Sequence, residues 1–185
     1  LVAVGCWQAL HPVVRKLEYV TDKNIPGPYR IVFVSDLHFG GLFGTSYGET
    51  LARRINEQNP DLILLGGDMV DGDLPFVLQE GSLGTFRKLR STDGVYAVFG
   101  NHDKRLGSGD VERAFLEEEG IQFAVDENRM VNPWLNLTGM DDYLFGNRRA
   151  DYHPEPGKFN VFMEHEPRRI PEAAGKGYDL YFAGH

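Results

Sequence analysis

Histidine and carboxylate side chains recur directly after apolar runs in this sequence. Four of its six histidines occupy such positions. The groups are, in chain order, Asp36 with His38, Asp68 with Asp71, Asn101 with His102, His165, and His185. A single histidine after an apolar run is usually structural, but a set of this size at equivalent positions indicates one shared site.

Carboxylate, imidazole and amide groups together make a ligand set for divalent metals. The sequence has one cysteine, Cys6, which excludes a cysteine-rich zinc site and an internal disulfide framework. Mixed oxygen and nitrogen ligands suit manganese, iron or zinc, and we expect two divalent ions with manganese as the first choice. Two cations about 3.5–4 Å apart, bridged by one carboxylate, acidify a water and clamp phosphoryl oxygens, which is the chemistry of phosphate-ester hydrolysis.

The apolar runs themselves predict the strands of a layered α/β domain. They cover residues 31–34, 62–65, 95–99, 159–163 and 179–183, with further strands expected at 121–125 and 130–140. Helical spacing at 47–59, 84–90 and 110–119 places helices between the strands. Because ligands bind at the carboxyl ends of strands in open α/β sheets, we expect the metal-binding side chains to converge there.

Residues 141–156 lack a clear period and are predicted to form a long loop over the mouth of the site. Arg148 and Arg149 in this loop either pair with a second phosphate of the substrate or lie in solvent. Other candidates for contact with a lipid or nucleotide substrate are Leu42, Phe43, Tyr143, Phe145 and Tyr152.

Charge and the amino-terminal segment bear on partners and location. The net charge of −8 disfavours nucleic acid as a partner, because proteins bind a phosphate backbone through positively charged side chains.

Residues 1–10 are apolar but about half the length needed to span a bilayer. They are either the remnant of a membrane anchor or a short element packed on the domain. We predict an N-terminal segment at 1–30 and a catalytic domain at 31–185.

The motifs resemble those of one enzyme superfamily. Asp36-Leu37-His38, Gly67-Asp68-Met69-Val70-Asp71, Gly100-Asn101-His102-Asp103, His165 and Gly184-His185 occur in the order of the calcineurin-like metallophosphoesterases. The resemblance implies a sandwich of mixed β-sheets flanked by helices. It also implies a dinuclear hydrolase in which a metal-bridging hydroxide attacks the phosphorus.

The resemblance also implies a role for each residue. The implied ligands are Asp36 and His38 for the first metal, Asp68 as the bridge, and Asn101, His165 and His185 for the second. His102 would bind the substrate phosphate and protonate the leaving oxygen, with Asp71 orienting it, and Asp103 would shape its loop. The last family motif is Gly-His-x-His and this sequence stops at its first histidine, so we expect the C-terminal part of the domain to be missing from this chain.

Residues 24–38 and 163–167 resemble a membrane-associated bacterial subgroup that includes enzymes cleaving the pyrophosphate of UDP-diacylglucosamine. This implies a phosphodiester or pyrophosphate bond in a small or lipid-linked substrate. It also implies a membrane-associated protein, held peripherally or by an N-terminal anchor outside this chain. Two alternatives stay open: a protein phosphatase or phosphomonoesterase on the same scaffold, and a binding scaffold without activity.

Overall fold

The computed structural model describes residues 11–105, 108–147 and 151–185, and the strands within them form two four-stranded sheets. The first sheet contains β1 (Ile31–Val34), β2 (Leu62–Leu65), β3 (Val95–Ala97) and β4 (Ile121–Phe123), all parallel and in that order. The second contains β5 (Glu127–Asn132), β6 (Leu135–Gly139), β7 (Phe159–Met163) and β8 (Leu180–Phe182), with β5 antiparallel to the rest.

Helices cover the outer faces of the two sheets. The helices α1 (Thr45–Asn56), α2 (Leu74–Glu80) and α3 (Gly109–Glu118), with a 3-10 helix (Leu83–Lys88), pack on the first sheet, and α4 (Ile170–Lys176) packs on the second. The result is four layers, helix, sheet, sheet and helix. The predicted layered α/β fold is confirmed.

Strand β2 consists of four consecutive apolar residues because both of its faces are buried. Leu62 and Leu64 face the core between the two sheets, whereas Ile63 and Leu65 face the helices, and all four are fully buried. A strand covered on both faces has no position for a polar side chain. Burial of each such side chain contributes about 1.5–3 kcal/mol, so the central strand anchors the loop that follows it.

Predicted and observed elements differ mainly where the elements are short. The strands predicted at 31–34, 62–65 and 159–163 have the observed bounds. The single strand expected at 130–140 is instead a hairpin of β5 and β6, whose turn is closed by the Asn132 carboxamide oxygen accepting from the backbone N–H groups of Trp134 and Leu135. The seven-residue helices α2 and α4 were not predicted, because seven residues are too few to show a helical period.

The segment 11–30 contains no regular helix or strand and is tied to the sheets by side chains. Lys23 Nζ donates to Asp179 and to the Lys158 carbonyl, each at 2.7 Å, and the Tyr29 hydroxyl donates to Asp93 at 2.6 Å. Within the described ranges, no helix has the length and apolar character needed to cross a membrane. Residues 1–10 lie outside those ranges, and the division at residue 30 stays a prediction.

Candidate metal centre

The carboxyl ends of β1, β2, β3, β7 and β8 meet at one place, where the two sheets adjoin. Backbone hydrogen bonds join the loops: the Asp36 N–H donates to the Gly67 carbonyl and the His38 N–H to the Asp68 carbonyl, each at 3.0 Å. The His185 N–H donates to Asp36 Oδ2 at 2.9 Å, which links β8 of the second sheet to β1 of the first. Residues far apart in sequence therefore share one site.

Asp68 lies at the centre of this site and is 2% exposed. Its Oδ2 is 3.2 Å from His165 Nε2 and 3.8 Å from His38 Nε2, and its Oδ1 accepts from the His102 N–H at 2.8 Å. Two groups of potential ligand atoms, each within 4.8 Å of one another, contain Asp68: one with His38 and His102, the other with His165 and His185. One carboxylate shared by two clusters is the arrangement that a dinuclear centre requires.

The donor atoms fit a pair of divalent cations. Asn101 Oδ1 is buried and has no hydrogen-bond partner among the described residues. Buried polar atoms are nearly always satisfied, so such an atom at a site of this kind points to a ligand. Oxygen and imidazole donors in this mixture suit first-row divalent metals.

His165 is completely buried and its orientation is fixed. Its Nδ1 donates to the Gly66 carbonyl at 2.8 Å, so Nε2 faces Asp68 and lies 3.3 Å from His185 Nδ1. Burial by itself lowers the pKa of His165, but the hydrogen bonds to Asp68 and Gly66 and the charge of Asp36 outweigh it and raise the pKa to about 9. The space beside Asp68 therefore favours positive charge.

The pKa of Asp68 shifts in the complementary direction. Burial raises the pKa of this carboxyl, but the hydrogen bonds from His165 and the His102 N–H lower it by more than burial raises it. The net result is a pKa below the usual value. A carboxylate that stays ionised while buried is suited to hold cations.

Four of the predicted ligands have strained backbones. The φ angles are 56° at Asp36, 47° at His38, 52° at Asp68 and 67° at His185. Among the described residues other than glycine, only six have positive φ, so most of this strain lies in the candidate metal centre. Such strain, on the order of 1–3 kcal/mol per residue, persists only where surrounding contacts determine the conformation.

Two glycines permit the close approach expected from the sequence. A Cβ at Gly100 would lie 2.1 Å from Asp68 Oδ1, and one at Gly184 would lie 2.6 Å from Asp36 Oδ2. Any larger residue would displace a predicted ligand.

Asp103 is the residue that holds the Asp68 loop in place. It is completely buried, and its carboxylate accepts from the backbone N–H groups of Asp68, Met69, Val70 and Gly100 at 2.7–3.0 Å. Burial raises its pKa to about 6 despite these hydrogen bonds. Burial and the charge of Asp103 raise the pKa of Glu112 on α3 well above its usual value, so Asp103 is the charged member of the two.

Replacing Asp103 with Asn is expected to lower the free energy of unfolding by about 3 kcal/mol, because the amide NH₂ faces backbone donors and leaves them unpaired in the core. Urea unfolding monitored by circular dichroism measures this change. Asp73→Asn is the matched control, because this exposed N-cap accepts from Phe76 N–H and Asn caps equally well. Equal stabilities of the Asp103 and Asp73 variants would contradict the role given to Asp103.

His102 and Asp71 form a pair at the edge of the centre. His102 Nδ1 lies 2.8 Å from Asp71 Oδ1, and the His102 ring stands nearly perpendicular to that of His38, with centroids 4.8 Å apart. The Asp71 N–H donates to the Phe39 carbonyl at 3.0 Å, which holds the backbone of Asp71 in place. The pairing directs the other ring nitrogen, Nε2, away from Asp71.

Sequence reasoning missed Glu164, which organises the loop after β7. This residue is 1% exposed, and its Oε1 accepts from the backbone N–H groups of Arg168 and Arg169 at 2.9 and 2.8 Å. The Tyr181 hydroxyl and the Arg169 guanidinium also donate to its carboxylate. Its only signal in the sequence was its position at the end of an apolar run, beside His165.

The loop predicted over the site begins beside the His102 loop. Lys104 pairs with Asp141, and Asp126 accepts from the N–H groups of Asp141 at 3.0 Å and Asn147 at 3.1 Å. Arg148 and Arg149, the predicted phosphate contacts, lie outside the described residues.

The suggested substrate contacts separate into exposed and buried side chains. Leu42 and Phe145 are exposed, whereas Phe43 is partly buried against the core. The suggestion for Tyr152 was wrong, because this side chain is buried against Phe162 and Tyr178 and cannot reach a substrate. The sequence around Tyr152 has no apolar period that reveals this burial.

Comparison with known proteins identifies the class to which this fold and site belong. Residues 29–185 match the calcineurin-like phosphoesterase family, and the chain belongs to that family. The resemblance seen in the sequence motifs is therefore confirmed. Members of the family are dinuclear metal-dependent phosphoesterases, in agreement with the two candidate ligand groups around Asp68.

Individual relatives are similar over much of this chain. The uncharacterized metallophosphoesterase YkoQ of Bacillus subtilis is 30% identical over 162 residues, 84% of this chain and 59% of its own length. The phosphodiesterase YaeI of Escherichia coli is 29% identical over 169 residues, which are 88% of this chain and 62% of the length of YaeI. The chain thus spans less than two thirds of either relative. The structure of the Pseudomonas putida nuclease MPE aligns with this chain at a TM-score of 0.38 and 19% sequence identity, over 72% of this chain and 60% of the nuclease chain. This likeness is too low to transfer any property of the nuclease to this chain.

Proposed function

We propose that the protein is a dinuclear-metal-dependent hydrolase of phosphate esters that cleaves a phosphodiester or pyrophosphate bond. The observation that carries this proposal is the position of Asp68, whose carboxylate belongs to two groups of potential ligand atoms at once. The similarity to YaeI, which is named a phosphodiesterase, supports the bond type.

The residues proposed to hold the first cation are Asp36, His38 and Asp68, and those for the second are Asp68, Asn101, His165 and His185. When bound, two divalent cations supply a nucleophile at neutral pH and neutralise charge on the phosphoryl oxygens. Manganese is proposed first, with iron or zinc as alternatives.

His102 and Asp71 are proposed to handle the proton of the leaving group. Asp71 accepts from His102 Nδ1–H and so fixes both the tautomer and the ring orientation. The Nε2 of His102 is then available to bind a phosphoryl oxygen and to donate a proton to the departing oxygen. Without this donor the leaving group departs as an unstabilised anion.

The substrate is proposed to be membrane-associated, such as UDP-diacylglucosamine, with the protein at the membrane peripherally or through an N-terminal anchor. Exposed apolar side chains in the segment before β1 support this, since Val13, Leu17 and Val20 are each more than 80% exposed. Apolar side chains left in water are suited to contact lipid or another apolar surface.

Chelation of the full gene product is expected to reduce hydrolysis of bis(p-nitrophenyl) phosphate to background, and Mn²⁺ is expected to restore it. The reason is that the nucleophile depends on the cations. Absorbance of released p-nitrophenol measures the rate, with p-nitrophenyl phosphate as the monoester control. Stoichiometric metal binding without hydrolysis of either ester would contradict the proposed function, and a faster monoester rate would identify a phosphomonoesterase.

A further inference from the structure

Arg168 lies three residues beyond His165 in the loop that Glu164 organises. Its backbone N–H donates to the buried Glu164 at 2.9 Å, and its side chain is 52% exposed. The guanidinium stacks over the Tyr143 ring at 4.8 Å from the centroid, and its Nε donates to Glu166. Backbone, ring and carboxylate together hold an exposed cation in one orientation.

This arrangement leaves most of the guanidinium able to bind a ligand. The Nε–H is engaged by Glu166, whereas the four N–H groups on Nη1 and Nη2 have no hydrogen-bond partner among the described residues. A planar guanidinium that is already ordered loses little conformational freedom on binding, and its paired donors match the oxygens of a phosphate.

Arg168 is in the same loop as His165, a predicted metal ligand. The Asp142 carboxylate interacts electrostatically with both residues. Of the neighbouring cations, Arg169 is buried with Glu164 and Lys104 pairs with Asp141. Arg168 is an exposed positive group in the loop that follows His165.

We infer that Arg168 binds a second phosphoryl group of the substrate, adjacent to the one that is cleaved. This inference rests on the proposed function and narrows it, because it makes pyrophosphate diesters better substrates than diesters with one phosphate. Tyr143 serves as the platform that holds the guanidinium flat, and Glu166 fixes one edge of it. Arg168 contributes to substrate binding and takes no part in bond cleavage.

Replacing Arg168 with Gln is expected to raise the KM for UDP-glucose, a soluble pyrophosphate diester, by about tenfold with little change in kcat. A charge-assisted hydrogen bond contributes about this much. The KM for bis(p-nitrophenyl) phosphate, which has a single phosphate, is expected to stay unchanged. Initial rates with both substrates measure the effect on the Mn²⁺-loaded protein.

Two further variants separate substrate binding from a structural ion pair. Arg113→Gln is the matched control, because Arg113, like Arg168, donates to a glutamate and lies over an aromatic ring. Its partners are Glu117 at 2.8 Å and Phe123, and it lies on α3 rather than in the loop after β7. It is expected to change neither KM. Glu166→Gln keeps an oxygen that can accept from Arg168 Nε but removes the negative charge that competes with a phosphate, so it is expected to lower the KM for UDP-glucose. Equal increases of KM for both substrates in the Arg168 and Glu166 variants would overturn the inference.

Titration calorimetry tests the same inference without turnover. The wild-type protein is expected to bind UDP more tightly than UMP, because UDP has one more phosphoryl group. Arg168→Gln is expected to lose that difference and Arg113→Gln to keep it. If the wild type hydrolyses neither ester, the proposed function fails, and the calorimetry still decides on Arg168. An undiminished preference for UDP in Arg168→Gln overturns the inference.

Discussion

Asp68→Asn is expected to lower turnover by at least about 10³-fold and to reduce the metal content from two ions per chain to one or none. The amide keeps an oxygen that can accept from the His102 N–H, so the loop retains that hydrogen bond. It loses the negative charge that faces His165 and His38. Loss of a single preorganised electrostatic contact commonly costs about 10²–10³-fold in rate, and here two cations share the contact.

Metal content by mass spectrometry, together with the diester rate, measures the effect of Asp68→Asn. Asp93→Asn is the matched control, because the Asp93 carboxylate also accepts hydrogen bonds, from the Tyr29 hydroxyl at 2.6 Å and the Asn132 amide at 2.7 Å, but lies before β3 and away from the candidate centre. That variant is expected to keep both ions and its activity. If Asp68→Asn bound two ions and retained wild-type turnover, the bridging role would be wrong.

The site was easier to locate from the sequence than the contacts that shape it. A strand buried on both faces leaves a continuous apolar run, and its end marks where a ligand follows, as at Asp68 and His165. The left-handed conformation of Asp36, His38 and Asp68 leaves no such mark, because it arises from contacts between loops that are distant in sequence.

Buried carboxylates that bind backbone amides were the least predictable feature. Asp103 accepts from four backbone N–H groups and Glu164 from two. No periodicity or fixed spacing in the sequence indicates either set of hydrogen bonds. Asp103 was recognised only as a loop-shaping residue, and Glu164 was not recognised. In both cases the partners are fixed by tertiary structure, so only coordinates reveal them.

His102 stands between two interpretations that metal analysis can separate. Its ring nitrogen lies within the candidate group of His38 and Asp68, as a ligand would, yet its Nδ1 is held by Asp71, as for a proton donor. A ligand variant loses metal, whereas a proton-donor variant keeps metal and loses rate. We propose the second role.

His102→Ala is expected to lower turnover of the diester by about 10²–10⁴-fold while both metal ions remain bound, because general acid catalysis contributes about that much. Asp71→Asn is expected to lower it by about 10–100-fold, as for a residue that orients another. Since Asp71 acts through His102, the double variant is expected to be no slower than His102→Ala alone.

The matched control for this pair is His153→Ala, since His153 Nε2 lies 2.7 Å from Asp151 Oδ1 in a similar pair at a solvent-exposed position. This variant is expected to leave the rate and the metal content unchanged, because among the described residues no group of the candidate centre contacts His153 or Asp151. Additive losses in the His102 and Asp71 double variant would show that Asp71 acts independently of His102. A drop in bound metal in His102→Ala would instead make His102 a ligand, because removing a proton donor leaves the charges around Asp68 in place.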